Sequence, residues 1–256
     1  MHRTPCWGMI LTAVLSIAAP GAQALEDVPA STLSEAQVVA GIQNRNRIQN
    51  QSLTRYSALR TYSVVYHGMG TLSAQMQVEM TYDAAQGKTF RIVSQSGAAL
   101  LRDGVLKRAV DSEREASKLK DAIALSPANY TFRLLGNGNV DGRSVYILDV
   151  EPLKPEKFLY RGTIWVDAAS FGVVKIEGAP AKNPSFWIRH STISVTDELT
   201  NGFWLPKEMR SQTQVRLGGG ATLTIDYGRY QIDEHAPAQG ELPAPAGGVD
   251  AAKGSH

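Results

Sequence analysis

Regular alternation of apolar and polar side chains is the clearest pattern in this sequence. From 72 to 83, apolar side chains occupy every second position, and polar ones fill the positions between them. A repeat of period two predicts a strand with one dry face and one wet face. Similar alternation, or a β-branched composition, predicts the other strands. The predicted strands are 60–66, 72–83, 90–93, 130–135, 145–150, 162–167, 173–177, 186–195, 204–217 and 221–232.

Short connections between these strands indicate how they pair. Between 159 and 195 three strands follow one another, separated only by 168–172 and by a proline-containing loop at 180–184. A run of three glycines, 218–220, links the last two strands. Strands joined so closely pair antiparallel, because a parallel partner needs a crossover of about a dozen residues.

A helix is predicted at the start of the folded region. Ser34 and Gln37 have the spacing of a capping box. Apolar side chains then follow at helical spacing, at Val38, Ile42, Leu53 and Tyr56. Because this apolar stripe is narrow and 44–47 is polar throughout, we expect the helix to lie across a surface rather than to be buried.

A second helical segment is predicted after the third strand. It begins near Ala98 and continues to Ser126, where Pro127 stops it. Its apolar positions are Leu101, Val105, Ala109, Ala116, Leu119 and Ile123. Gly104 lowers the helix propensity, which allows a break into two helices.

Composition and charge limit the class of protein. Of 256 residues, 43% are hydrophobic and 20% are charged, as in ordinary globular domains. A formal net charge of +2 argues against nucleic acid as a partner. Residues 1–24 combine an early positive charge, a short apolar run and small residues at Ala22 and Ala24. They are predicted to be a secretory signal peptide, with a short anchoring helix as the alternative.

The single cysteine adds to this picture. Cys6 precedes the apolar run, so it does not resemble a lipid-attachment cysteine. The mature chain is therefore expected to be periplasmic and unlipidated, without disulfides or cysteine metal ligands. We predict one domain at 25–233 and, because 234–256 is rich in Ala, Pro and Gly without a period, a disordered tail.

The sequence contains no established catalytic motif, and we predict a protein that is not an enzyme and uses no metal or cofactor. One alternative is a metal or acid/base site. It would require His67 and His190 to meet across a sheet, near Asp197 or Glu198. Single histidines in strands are more often surface or partly buried residues.

These elements predict an architecture. About ten antiparallel strands, each with one apolar face, must bury those faces with the help of few helices. We predict a mainly β, α+β domain in which a strongly curved antiparallel sheet of about ten strands forms a half-open β-barrel, with two or three helices covering its concave side. A closed two-sheet sandwich would also satisfy the strands, but it would leave the helices without a surface to cover.

The order of one helix, three strands, a second helix and seven strands resembles the LolA/LolB type of periplasmic lipoprotein carrier. The segments GTIWVDAASFGVVKIEG, AKNPSFWI, GFWLP and LTIDYGRYQI are similar to exported proteins of that group, the outer-membrane lipoprotein-sorting proteins. The resemblance covers 34–233 and implies a helical lid over an apolar interior that holds acyl chains. No ligand-contacting residue of the well-studied carriers can be matched to a position here.

The apolar faces of the early and late strands, with the second helical segment, are the candidate cavity lining. Met76 and Met80 favour a cavity over a closed core, because methionine adapts to variable contents. The candidate ligand-binding residues are Tyr62, Val64, Tyr66, Met76, Val78, Met80, Tyr82, Phe90, Ile92, Leu101, Val105, Ile225 and Tyr227.

The predicted function is that of a soluble periplasmic carrier for a lipid, or for the acyl chains of lipoproteins, moving toward the outer membrane. Inner- or outer-membrane transfer proteins are possible further partners. An envelope-stress sensor, or another binding module of the same fold, is the alternative.

Overall fold

The computed structural model of the chain describes residues 33–183, 188–216 and 218–233. All of these residues belong to the second of the two units of the chain, Leu33–His256. The predicted signal peptide, 1–24, and the predicted tail, 234–256, lie outside the described residues.

The second unit is built on one antiparallel sheet. Its strands are β1 (Arg55–His67), β2 (Thr71–Asp83), β3 (Gly87–Gly97), β4 (Tyr130–Val140), β5 (Arg143–Pro152), β6 (Tyr160–Asp167), β7 (Val173–Pro180), β8 (Ile188–Thr200), β9 (Phe203–Val215), β10 (Gly220–Asp226) and β11 (Tyr230–Ile232). Their order is β3-β2-β1-β10-β9-β8-β7-β6-β5-β4, and β11 pairs with β1. Strands β3 and β4 are therefore the two edges of an open sheet. The predicted open antiparallel sheet with few helices is confirmed.

The apolar positions of successive strands share one face of this sheet, here called the inner face. Cross-strand register joins them into a continuous row. The row runs Leu148, Ile164, Ile176, Val195, Met209, Ile225, Tyr62 and Met76. The alternation seen in the sequence thus becomes a single apolar surface, because each strand contributes every second residue to it.

Helix α1 (Glu35–Ser52) begins with the predicted capping box. The Ser34 backbone N–H donates to Gln37 Oε1 at 2.9 Å, and the Gln37 N–H donates to Ser34 Oγ at 3.4 Å. The predicted helical positions of Leu53 and Tyr56 are wrong. The helix ends at Ser52, and Tyr56 already lies in β1 and pairs with Tyr82 of β2.

Helix α1 covers the half of the inner face formed by β4–β7. Val38, Val39 and Ile42, in its first two turns, are the buried residues of this helix. The remaining residues are exposed or partly buried, so the helix lies across the surface of the sheet, as its narrow apolar stripe predicted. The buried residues of this half, the second core cluster, are Val38, Val39, Ile42, Tyr130, Leu148, Val150, Leu159, Ile164, Val166 and Ala181.

The second helical segment, 99–116, contains the break that Gly104 allowed. Helix α2 (Ala99–Leu101) leads into a π-helical turn (Arg102–Leu106) and then into α3 (Lys107–Ala116). The predicted continuation to Ser126 is wrong. After Ala116 the Ser117 hydroxyl donates to the Arg114 carbonyl at 2.8 Å, and such a local hydrogen bond competes with the helical ladder.

The helical segment 99–116 covers the other half of the inner face. The first core cluster, which it completes, consists of Leu53, Tyr56, Ala58, Tyr62, Val64, Ala74, Met76, Val78, Met80, Tyr82, Leu101, Leu106, Val110, Leu205, Ile225, Tyr227 and Tyr230. Each fully buried large apolar side chain contributes about 1.5–3 kcal/mol. These two clusters therefore stabilise the two halves of the inner face, and a third, smaller cluster consists of Val145, Val174 and Trp204.

The predicted last strand, 221–232, is interrupted. Asp226 Oδ1 accepts from the Gly228 backbone N–H at 2.8 Å, and Gly228 has a φ of +64°. This turn separates β10 from β11 because glycine adopts positive φ without steric cost. Within the described part of the chain, no helix is long and apolar enough to cross a membrane.

Candidate functional site

Most of the predicted cavity residues come together on the inner face. Those that belong to the first core cluster are Tyr62, Val64, Met76, Val78, Met80, Tyr82, Leu101, Ile225 and Tyr227. Tyr66, Phe90 and Val105 are partly buried and pack against that cluster. The predicted grouping of these side chains matches the structure, and their contact with a ligand stays a prediction.

The first core cluster is filled by the helical segment 99–116. Leu106 and Val110 lie inside it, 0% and 2% exposed. Ile92 lies on the inner face opposite Val78, but it is 42% exposed and does not belong to the first core cluster. The reason is that β3 is an edge strand, so among the described residues no further strand pairs with it. In this conformation the predicted cavity is a packed core.

Apolar side chains that remain half-covered lie between the two core clusters. Ile193 and Val195 on β8 are only partly buried and belong to neither cluster. Val195 pairs with Ile176 of β7 on one side and with Met209 of β9 on the other. We call these four residues the inner strip. Among the described residues, neither α1 nor the helical segment 99–116 brings Ile193 or Val195 into its cluster.

Two glycines leave the inner face bare beside the strip. Gly162 of β6 pairs with Gly178 of β7, which in turn pairs with Ile193. A Cβ at Gly162 would collide with the Glu177 carbonyl oxygen, and one at Gly178 with the Arg161 carbonyl oxygen. Glycine is needed here because the two backbones approach too closely for a side chain. No side chain therefore projects from the inner face at these two positions, next to Ile193.

Polar groups mark one end of the strip. Ser191, 6% exposed, precedes Ile193 on the inner face of β8. Its Oγ lies 3.3 Å from Ser211 Oγ and 3.1 Å from Thr213 Oγ1 on β9. These hydroxyls satisfy one another, so this end of the strip is polar without carrying charge.

Asp197 lies two residues beyond Val195 on the same strand. Its Oδ1 is buried and has no hydrogen-bond partner among the described residues. Burial raises the pKa of this carboxyl to about 7. Burial raises the pKa of Tyr160 and of Tyr230. The negative charge of nearby Asp197 raises both pKa values further. An ionisable group with this environment is a candidate functional group as well as a source of instability.

Asp197→Asn is expected to stabilise the domain at high pH only. The carboxyl titrates at 3.8 when unperturbed and at about 7 when folded, so the folded state holds an extra proton between these values and wild-type stability falls as pH rises through them. We expect the substitution to raise the free energy of unfolding by about 1–3 kcal/mol at pH 8 and to have little effect near pH 4. Urea unfolding at both pH values measures this, and an equal effect at the two would contradict it.

A buried ion pair links the first core cluster to its helical cover. Arg60 of β1 is 1% exposed and pairs with Glu113 of α3, while Tyr62 donates its hydroxyl proton to Glu113 Oε1 at 2.6 Å. The guanidinium carbon lies 4.6 Å from the centre of the Tyr227 ring. Sequence analysis did not select Arg60, although its place between Ala58 and Tyr62 in the alternation put it on the inner face.

A polar groove lies on the opposite, outer face of the sheet. It has a volume of about 620 Å³ and crosses β6–β9. Its charged lining residues are Arg161, Glu177 and Arg210, and Thr163, Thr192 and Ser194 add hydroxyl groups. Arg161 and Arg210 are half-exposed and pair with Glu151 and Glu208. The groove therefore offers polar rather than apolar contacts.

The histidine site considered as an alternative does not form. His67 pairs with Gly220 of β10, Gly220 with Gln214 of β9, and Gln214 with His190 of β8. Two strands thus separate the histidines, which places their backbones roughly 14 Å apart. His67 Nδ1 lies instead 3.1 Å from Thr71 Oγ1. Within the described ranges, no three His, Cys, Asp or Glu side chains are grouped as metal ligands.

Comparison with known proteins gives similarities of structure alone. No protein-family model matches the chain, and no curated protein matches it. A protein domain assigned to outer-membrane lipoprotein sorting, from Vibrio parahaemolyticus, is 10% identical with a TM-score of 0.41, covering 78% of this chain and 94% of its own. A DUF1329 family protein from Desulfovibrio piger is 16% identical with a TM-score of 0.40, covering 77% and 94%.

A LolA superfamily protein from Nitrosomonas europaea is also similar, at 11% identity and a TM-score of 0.33, covering 75% of this chain and 94% of its own. Members of the group that the sequence resembles are thus among its structural neighbours, as expected. Identities and TM-scores this low assign neither ligand nor role, which must come from the residues of this chain.

Proposed function

We propose that this chain is a carrier that holds the acyl chain of a lipid or lipoprotein against the inner strip. The observation that carries the proposal is the position of Ile193 and Val195, apolar and half-covered between two separately packed cores. An isolated exposed apolar residue needs no explanation, whereas a strip of them on the concave side of an open sheet provides a binding surface.

The two-core arrangement also provides a way for a ligand to enter. Each helical cover packs on its own half of the sheet, α1 on the second core cluster and the segment 99–116 on the first. Moving α1 away from the segment 99–116 would break the hydrogen bonds that join the Gln49 side chain to the Trp204 backbone, at 2.8 and 3.0 Å, and would leave the first core cluster packed. Gly162 and Gly178 add no side chain beside Ile193, so the inner face next to this residue is backbone.

The energetics suit transfer rather than storage. Moving one methylene out of water is worth about 0.8 kcal/mol, so a long acyl chain would bind almost irreversibly if water were the alternative. The acyl chain instead leaves a membrane, where its methylenes are already dry. The net preference is then small, and a half-covered strip can both accept and release the chain. The proposed role is binding and transfer without chemical change.

Val195→Asp tests this proposal directly. Because the strip is only half-covered, we expect the variant to fold, but a carboxylate beside an acyl chain must be desolvated or protonated. Uptake of a fluorescent fatty acyl probe should fall about tenfold or more. Fluorescence titration measures the uptake, and circular dichroism with thermal melting establishes that the variant is folded.

Ser194→Asp is the matched control, since Ser194 is the adjacent residue and lines the outer groove. Its probe uptake should equal that of the wild type. Unchanged uptake in a folded Val195→Asp variant would contradict the proposal. A loss caused by Ser194→Asp alone would move the site to the outer groove and favour a binding module with a polar partner.

We also propose that the carrier works in the periplasm after removal of residues 1–24. The support is the order of Arg3, an apolar run and the small residues at 22–24. Mass spectrometry of the exported protein should find Leu25 as the new N-terminus. Intact Met1 in the envelope fraction would contradict export by cleavage.

A further inference from the structure

Two lysine side chains converge at the rim of the inner face, beside the hairpin between β2 and β3. Lys120 Nζ donates to Tyr82 Oη at 3.1 Å and lies 4.7 Å from the centre of the Tyr82 ring. Lys88 pairs with Tyr82 across the two strands, so its side chain leaves the same inner face. Tyr82 itself is 7% exposed and belongs to the first core cluster.

The positive charge of this rim is not compensated by the described residues. Neighbouring cations have carboxylate partners: Arg55 pairs with Asp83, Arg91 with Glu79 and Arg114 with Asp111. In the described ranges neither Lys88 nor Lys120 has a carboxylate within ion-pair distance.

Burial and, to a lesser degree, the charges of Arg60 and Lys120 lower the pKa of Lys88 to about 8, whereas the negative charge of Glu113 raises this pKa. Both carboxylate oxygens of Glu113, however, already accept hydrogen bonds, one from Arg60 and one from Tyr62. The ammonium group thus lies where an added anion would be favourable.

Apolar side chains continue from the lysines along the same rim. The inner face of β3 carries Lys88, then Phe90, then Ile92, and these are spaced two residues apart. Ile92 is 42% exposed, and Leu119, which precedes Lys120, is 40% exposed. A cationic end followed by an apolar track matches an amphiphile with an anionic head.

We propose that this rim, formed by Lys88, Lys120 and Tyr82, binds the phosphate or carboxylate headgroup of an anionic lipid, whose chain begins along Phe90 and Ile92. This rim is a second lipid contact, separate from the inner strip, because the packed first core cluster lies between β3 and β8. The inference therefore goes beyond the proposed carrier function and adds a preference for anionic lipids to it. The headgroup would accept hydrogen bonds from both ammonium groups, while Glu113 stays engaged with Arg60.

The test measures how much lipid the full chain removes from vesicles of phosphatidylglycerol and of phosphatidylcholine with identical acyl chains. The wild type should carry more phosphatidylglycerol, on the order of tenfold, because each lysine near an anionic lipid contributes roughly a factor of five. In Lys88→Gln/Lys120→Gln this preference should disappear while phosphatidylcholine uptake stays the same. The charge-matched control, Lys154→Gln/Lys182→Gln at exposed positions, should keep the preference.

The outcomes separate this inference from the carrier proposal. Equal uptake of both lipids by the wild type, or a preference that survives in Lys88→Gln/Lys120→Gln, would overturn the headgroup site and leave the carrier function standing. Uptake of neither lipid would overturn both. Inorganic phosphate, added at the same concentration as the lipid, should not alter the preference of the wild type for phosphatidylglycerol over phosphatidylcholine. If it abolished the preference, the rim would be a site for free phosphate and the inference would be wrong.

Discussion

Val78→Asp is expected to unfold the domain. Val78 is 0% exposed in the first core cluster, where the helical segment 99–116 supplies Leu106 and Val110. A carboxylate at this position would be buried without a partner or would have to be protonated, at a cost of several kcal/mol. Since whole domains are stable by about 5–15 kcal/mol, a cost of several kcal/mol removes most or all of the stability of a domain near the lower end of this range.

Gln77→Asp is the control for this variant, because Gln77 is the adjacent residue on the outer face and accepts a hydrogen bond from Ser94 Oγ at 3.0 Å. We expect it to lower the free energy of unfolding by less than about 1 kcal/mol. Chemical denaturation monitored by circular dichroism compares the two. A folded Val78→Asp variant with near wild-type stability would mean that the first core cluster is open space rather than a packed core.

Loss of the Glu113 carboxylate is expected to have the second largest effect. The Arg60 side chain is 1% exposed in the wild type, and in Glu113→Leu its guanidinium loses its anionic partner. Tyr62 also loses the acceptor of its hydroxyl proton. Removing one member of a buried pair typically costs about 3–5 kcal/mol, and we expect a loss of this size in denaturant unfolding.

The double variant Arg60→Met/Glu113→Leu separates charge burial from packing. Replacing both members of a buried pair with apolar residues of similar volume is often neutral, so most of the lost stability should return. Arg60 Nε, which is buried without a partner among the described residues, is removed at the same time. A double variant as unstable as Glu113→Leu would show that the loss comes from packing between α3 and the sheet.

The candidate site shows which features the alternation of apolar and polar residues can predict and which it cannot. Alternation correctly selected the side chains that share the inner face, from Tyr62 and Met76 to Ile225. It did not distinguish those that a helix covers from those left half-covered. Val195 and Ile193 follow the same period as Val78, and only the strand order places β8 between the two covers.

Charged residues show the same limit. Arg60 stands at an inward position of β1, but its partner Glu113 is 53 residues away on α3. The pairing of Lys88 with Tyr82 follows from the hairpin, whereas the approach of Lys120 depends on where the chain turns after α3. Such contacts join elements that no short-range spacing connects, and for that reason the histidine alternative also failed.

The sequence by itself determined the features that depend on backbone geometry within a few residues. Strand alternation, antiparallel neighbours across short turns, the capping box at Ser34 and the break at Gly104 are of this kind, because period, capping and glycine flexibility are local properties. The tertiary structure alone decided which apolar faces are closed. It paired β1 with β10, filled one half of the inner face with the segment 99–116, and left Ile193 and Val195 between two cores. Burial is a relation between distant elements, so a local pattern can indicate which side chains face inward but not what covers them.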